Sequence, residues 1–458
     1  RGAGARAQNG KTPSSLGTRL ETRPMTRLLL SRGRILDPAS GRDEAADLLI
    51  EGDRIARIGP PGSLGPADRM LDCRGKIVAP GFIDLHVHLR EPPVPRQDLA
   101  ALAETIATGA AAAAAGGFTT VCAMPNTDPP MDTPERVAYY LARGRKANLA
   151  RVLPVGAMTR GRAGREPADL AAMKAAGAVA FSDDGSDVAD EVVLRAVLEQ
   201  AASVGAVAIC HCEDSALAAG GVLQDGPLAM ALGLPGIPNE AEETAVERAC
   251  RLAAETGCRV HVAHVSTAGA VETIRRAKSC GALVTAEATP HHLALTHESL
   301  RSRDAVFKVN PPLRCGQDVE AVAEGVRDGV MDCLATDHAP HTAAAKAKGL
   351  AEAPFGMIGL ESALPVYVKA LVEPGLLSWP ELIARLTWNP ARVLGLSAGT
   401  LAVGASADVT VVDPQAEWTI EPERFASQAR NCPFAGWQVR GQVKWTVVAG
   451  HIVYEDKS

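Results

Sequence analysis

The feature that most restricts this chain is a repeating alternation. Eight apolar runs of strand length fall at residues 83–87, 119–122, 151–155, 178–181, 207–210, 259–263, 283–286 and 331–335. Most are separated by stretches rich in Ala, Leu, Glu and Arg that read as helix, such as 99–115, 188–203 and 240–256. Eight such units in about 255 residues match a (β/α)8 TIM-type barrel. An open doubly wound sheet is the alternative, but no G-x-G-x-x-G opens a helix here.

The flanks differ. Short strand-like segments at 28–30, 34–36, 47–50, 54–58 and 76–78 are punctuated by Asp37-Pro38, Gly52-Asp53 and Gly59-Pro60. The same style returns at 407–412, 418–420, 444–449 and 451–454. The expected organisation is an α/β chain: a barrel over 81–389 and a small β-sandwich built from both ends, 25–80 with 390–458. Residues 1–24 carry five basic residues and one acid without apolar periodicity. They are expected to be a disordered tail or a mis-assigned start ahead of Met25. No 7–15-residue apolar core of a secretory signal is present there.

Composition narrows the partners. Lys+Arg 47 against Asp+Glu 53 gives −6 without a long basic run, which favours neither nucleic acid nor a membrane surface. Aromatics are 3% of residues, too few for base stacking on single strands. The ten cysteines form no C-x-x-C pair, so they read as reduced thiols of a cytoplasmic protein rather than a zinc ribbon.

Residues that carry chemistry gather at strand ends, where barrel active sites lie. His86 and His88 are two apart in an extended segment and point to one side. His211 ends strand five, His264 strand six and Asp337 strand eight, while Asp183 and Asp184 follow strand four. Imidazole with carboxylate suits Zn2+, with Mn, Co or Fe as alternatives. Such a cation lowers the pKa of bound water to about 7 and polarises a carbonyl. His261, three positions before His264, points to the opposite side and reads as packed. His291, His292, Cys210 and Cys212 also read as structural, and His338 as orienting its loop.

The run Pro80-Gly81-Phe82-Ile83-Asp84-Leu85-His86-Val87-His88-Leu89-Arg90-Glu91-Pro92 resembles the opening signature of the cyclic amidohydrolases. Met124-Pro125-Asn126-Thr127, Ser182-Asp183-Asp184-Gly185, His211-Cys212-Glu213-Asp214, His264-Val265-Ser266-Thr267, Val309-Asn310-Pro311-Pro312-Leu313-Arg314 and Pro354-Phe355-Gly356 narrow the likeness to dihydroorotases of the class I bacterial type. The resemblance implies two Zn2+ per subunit: His86, His88 and Asp337 on one, His211 and His264 on the other, with Asp184 bridging. It implies Asp337 as general base, and Arg90, Asn126, Asn310, His341, Phe355 and Gly356 as substrate contacts. The reaction implied is reversible cyclisation of N-carbamoyl-L-aspartate to L-dihydroorotate in pyrimidine biosynthesis. A homodimer and a complex with aspartate transcarbamoylase are the partners it suggests.

Hydantoinases and allantoinase are the enzyme alternatives; they place a carboxylated lysine as bridge, where this chain has Asp183-Asp184-Gly185. A non-catalytic relative would have lost ligands, and none is missing. Two departures from the pattern concern loops: Pro93-Val94-Pro95 replaces the usual glycine, and Ala343-Ala344-Ala345 replaces acidic residues.

Overall fold

The computed structural model describes residues 27–95 and 98–457, so the expectations for residues 1–24 lie outside the described residues. All eight apolar runs contribute strands: Phe82–Val87 (β1), Phe118–Ala123 (β2), Arg151–Ala157 (β3), Ala180–Ser182 (β4), Val207–Cys210 (β5), Arg259–Val262 (β6), Val284–Ala288 (β7) and Cys333–Leu334 (β8). They form one parallel sheet in the order β1 to β8. The sheet is a nearly closed barrel whose first and last strands meet only near their C-terminal ends. There Val87 bridges His338, and the His88 amide donates to the His338 carbonyl at 2.8 Å. The Asp84 carboxylate fastens the seam by accepting from Thr336 Oγ1 at 2.6 Å, the Thr336 amide at 3.2 Å and the His86 amide at 3.0 Å.

Local chemistry sets where the helices begin. The stretch 99–115 becomes a helix only over Ile106–Ala115, because the Thr105 side chain caps it and Glu91 Oε2 accepts from the Ile106 amide at 2.9 Å. The residues before it are drawn away: Glu104 accepts from Ser427 and faces His338 instead of continuing a helix. Asp190 likewise starts Glu191–Ser203 by accepting from the Val192 and Val193 amides. The helix Glu240–Thr256 matches its expected span. Alanine replaces aromatics at the barrel wall: Ala110, Ala112 and Ala113 are fully buried, which lets that helix lie close against the strands.

The ends of the chain form one eight-stranded sheet, the small β domain expected from both termini. Arg27–Asp37 is its long strand, pairing antiparallel with Arg42–Glu51 and parallel with Arg69–Asp72 and Ile77–Pro80. Val409–Thr419 joins from the C-terminal side, pairing with Ile77–Pro80 and with Gln438–Val448. The expected two layers are thus hydrogen-bonded into a continuous sheet around one apolar core that includes Leu30, Leu48, Val78, Val409 and Val447. Ile77–Pro80 runs straight into β1, and the Gly81 amide donates to the Asp408 carbonyl at 2.9 Å, so the sheet anchors the strand that carries the histidine pair.

After β5 the chain makes an excursion containing the short paired strands Leu223–Gln224 and Gly236–Ile237. Arg314 holds it down. Its guanidinium, 1% exposed, donates to Gln224 Oε1 at 2.8 Å, the Ile237 carbonyl at 3.2 Å, Ser266 Oγ at 3.0 Å and Glu242 Oε2 at 3.4 Å. Breaking such a buried pair strands the remaining charge. Arg314→Met should lower stability by about 3–5 kcal/mol in urea unfolding; an unchanged midpoint would remove Arg314 from this role.

Candidate metal centre and active site

The six residues expected to hold metal converge at the C-terminal end of the barrel, with Asp184 in their middle. Asp184 Oδ1 lies 3.2 Å from His86 Nε2, 3.5 Å from His264 Nε2 and 3.7 Å from His211 Nδ1. Its Oδ2 lies 3.4 Å from His88 Nε2. Asp337 Oδ1 stands 3.0 Å from His88 Nε2 and 3.6 Å from His86 Nε2. Two triads have ligand atoms close enough to share a cation, His86–Asp184–His264 and His86–His88–Asp337. His86 is common to both, and His211 joins through its Nδ1, 2.9 Å from His264 Nε2. Asp183 is occupied elsewhere, accepting from the Met158 and Thr159 amides and from Thr159 Oγ1.

The donor set fits a metal. His86 Nδ1 faces Glu287 Oε1 at 2.8 Å and His88 Nδ1 faces Asn126 Oδ1 at 2.8 Å. Both Nδ1 atoms therefore carry a proton, and both Nε2 atoms face carboxylates. Without a cation a proton on Nε2 answers the carboxylates; with one, the Nε2 lone pair becomes the ligand in its place. His86 Nε2, Asp184 Oδ1 and His264 Nδ1 are buried without a hydrogen-bond partner. Burial opposes ionisation of Asp184 and Asp337, but the surrounding imidazoles outweigh it and hold both carboxyls below the usual range. His264 and Asp337 both adopt left-handed backbone, φ 34° and 47°. Non-glycine residues rarely occupy that region, and they do so where surrounding contacts enforce it.

A cavity of about 120 Å³ opens beside the cluster. Of the twelve residues expected as metal ligands or substrate contacts, all but His86 and His341 line it. That is far below the roughly 300–1,000 Å³ of drug-sized ligand sites, so it suits a small molecule. Arg90 sits at its wall, with Nε donating to the Pro340 carbonyl at 3.1 Å; burial lowers its guanidinium to about 10, leaving it a cation at neutral pH. Behind Arg90, burial and then the Arg90 charge push His341 down to about 3. His341 is therefore neutral, and its Nε2 donates to the Phe355 carbonyl at 2.7 Å. Gly356 follows at φ 126°, where a Cβ would come within 2.7 Å of Ala339 Cβ. Asn310 has a buried, unpartnered Oδ1.

Several participants escape a reading of the sequence. Glu287, between Ala286 and Ala288 in β7, backs His86; its signal is a lone acid in an apolar strand. His291 is not mere packing: its unpartnered Nε2 is 3.9 Å from Asp337 Oδ2. His292 does pack, bonded to Thr289 and the Pro311 carbonyl. His338 accepts at Nδ1 from the Gly359 amide at 3.2 Å, fixing its loop. Asn431, from the segment between two strands of the terminal sheet, accepts from the His341 amide at 3.1 Å and donates to the carbonyls of Ala339 and Gly356. Cys210 and Cys212 are buried in the apolar core, away from any ligand role.

Comparison with solved structures places the architecture. L-hydantoinase (dihydropyrimidinase) from Arthrobacter aurescens superposes with TM-score 0.81 at 29% identity, covering 94% of this chain and 96% of that one. D-hydantoinase from Bacillus sp. AR9 gives 0.79 at 26%, covering 94% and 96%. Fold and site together define a cyclic amide hydrolase of the amidohydrolase type. A family model described as dihydro-orotase-like matches residues 75–270. The dihydroorotase of Pelotomaculum thermopropionicum is 48% identical over 94% of this chain and 99% of its own length, and that of Syntrophus aciditrophicus 44% identical over 94% and 100%. The chain belongs to the dihydroorotase family.

The loop over the cavity is clasped by Lys346, whose Nζ donates to the carbonyls of Ala305 at 2.9 Å, Lys308 at 3.1 Å and Pro354 at 2.9 Å. Lys346→Met strands three acceptors at about 1–3 kcal/mol each. Limited proteolysis should then cut within residues 341–356 roughly tenfold faster or more; unchanged cleavage would show that the clasp is dispensable.

Proposed function

We propose that this protein is a zinc-dependent dihydroorotase, interconverting N-carbamoyl-L-aspartate and L-dihydroorotate in pyrimidine biosynthesis, with its catalytic barrel over residues 81–389. The observation that carries the reading is a buried cluster of four imidazoles and two carboxylates beside a small cavity walled by one arginine. His86, His88 and Asp337 would hold one Zn2+ and His211 and His264 a second, with Asp184 between them. Bound there, the metal supplies Lewis acidity toward water and the amide carbonyl.

The chain's own residues do the rest. Arg90 offers a planar fork to the substrate carboxylate and Asn126 completes that subsite, while His341, the third contact the family likeness implies, stands behind Arg90 with its Nε2 on the Phe355 carbonyl. Asn126 spends its Oδ1 on His88, which leaves its NH2 group for the ligand. Asn310 and the Phe355-Gly356 backbone contact the ring. In hydrolysis, Asp337 takes a proton from the attacking water at Oδ2, the oxygen not engaged by His88, and delivers it to the ring nitrogen as the C–N bond breaks. In the biosynthetic direction the ureido nitrogen attacks the carbon of the protonated side-chain carboxyl group, Asp337 takes the proton that the nitrogen sheds, and the C–N bond forms as that proton joins the departing hydroxyl as water. We also read the protein as a cytoplasmic homodimer with aspartate transcarbamoylase as a candidate partner, on the family likeness. Among the described residues no helix is long and apolar enough to cross a membrane.

Zinc-replete protein should turn over both compounds. Failure with both, alongside hydrolysis of dihydrouracil or allantoin, would overturn the assignment. Chelation should abolish turnover and Zn2+ restore it. Asp337→Ala should abolish turnover even in samples whose metal content, measured by mass spectrometry, is retained. Arg90→Met should raise KM roughly ten- to a hundredfold, the worth of charge-assisted hydrogen bonds, with a smaller effect on kcat.

A further inference from the structure

Behind the ligand cluster lies a carboxylate that the reaction does not touch. Glu287 is fully buried. Its Oε1 stands 2.8 Å from His86 Nδ1 and 3.3 Å from the His264 amide. Its Oε2 stands 3.1 Å from His261 Nε2, and His261 Nδ1 faces Thr285 Oγ1 at 2.8 Å. A carboxylate inside a barrel loses its hydration and stays only where fixed donors replace the water. Here every donor comes from a residue that is itself a ligand or that braces Glu287.

We propose that Glu287 is the positioning residue that joins the two metal-ligand triads into one unit; this rests on the metal-centre reading above. His86 is the one residue common to both triads, and it can serve only with Nε2 free. A carboxylate at Nδ1 keeps the proton on that nitrogen and fixes the ring's direction. The same Oε1 receives the backbone amide of His264, whose φ of 34° needs outside support. One oxygen thus holds the side chain of a ligand from β1 and the backbone of a ligand just after β6. His261 is the brace: by donating to Oε2 it prevents the carboxyl group from rotating away. This gives the odd spacing of His261 and His264 a purpose, since one supports from behind what the other presents in front.

The test reads metal rather than turnover. Glu287→Gln keeps the volume, but its single carbonyl oxygen cannot accept from both His86 and His261. Titration of metal-free protein with Co2+ against a competing chelator should show affinity lower by roughly 10–100-fold, with an altered visible absorption spectrum. Melting of the metal-free protein serves as the fold control. His261→Asn, which leaves Glu287 in place, should lower Co2+ affinity in the same direction by less; should Glu287→Gln not fold, unchanged affinity in His261→Asn overturns the proposal. Wild type that binds Co2+ while Glu287→Gln binds it equally overturns this inference alone. Wild type that takes up no Co2+ overturns the metal reading along with it.

Discussion

Everything at the site depends on how the barrel closes. Seven of the eight strand junctions are ordinary parallel pairings, whereas the junction of β8 with β1 is made by one backbone bridge and by Asp84 on Thr336. That seam sets the distance between the His86–His88 pair and Asp337. With the His88 amide on the His338 carbonyl, Asp337 has no choice but to face His86 and His88. Burial raises the Asp84 carboxyl to about 7, against the hydrogen bonds it accepts, so the seam holds a group close to losing its charge at neutral pH.

The second constraint is electrostatic. Gathering imidazoles and carboxylates in a dry place costs free energy unless each charge finds a partner. The molecule meets this in layers: Asn126 behind His88, Glu287 behind His86, His261 behind Glu287. The ring nitrogens of His86 and His88 that remain face Asp184 and Asp337, where a cation would sit among them. Positive φ at His264 and Asp337 marks the backbone cost of aiming two ligands inward, of order 1–3 kcal/mol each.

Much of this was legible in the sequence, because strands and ligands leave local marks. An apolar run bounded by helix-like stretches reads as a buried strand, and a histidine or aspartate at its end stands out. The barrel, the small β domain and the gathering of His86, His88, His211, His264 and Asp337 at strand ends came from such marks, whereas the choice of Asp184 over Asp183 came from the family resemblance. What stayed hidden is pairing between distant residues. Nothing near Glu104 says that it will bond Ser427 and so hold back the start of a helix. Asn431 looks like a residue of the terminal β domain, yet it braces Ala339, His341 and Gly356. His291 follows a proline in a short helix, and only the folded barrel turns it toward Asp337.

The shared sheet has a consequence for how the protein is made. Ile77–Pro80 pairs with Val409–Val412, segments that leave the ribosome 329 positions apart. At about 5–20 residues per second, that edge waits roughly 15–65 s for its partner. During the delay one side of a strand offers its amides and carbonyls to any neighbouring chain, the kind of edge that invites association. The brace from Asn431 arrives later still, so the nascent barrel presents its ligands with the cavity loops not yet tied down. A sheet built from both ends of the chain thus leaves its central edge unpaired until synthesis is nearly over.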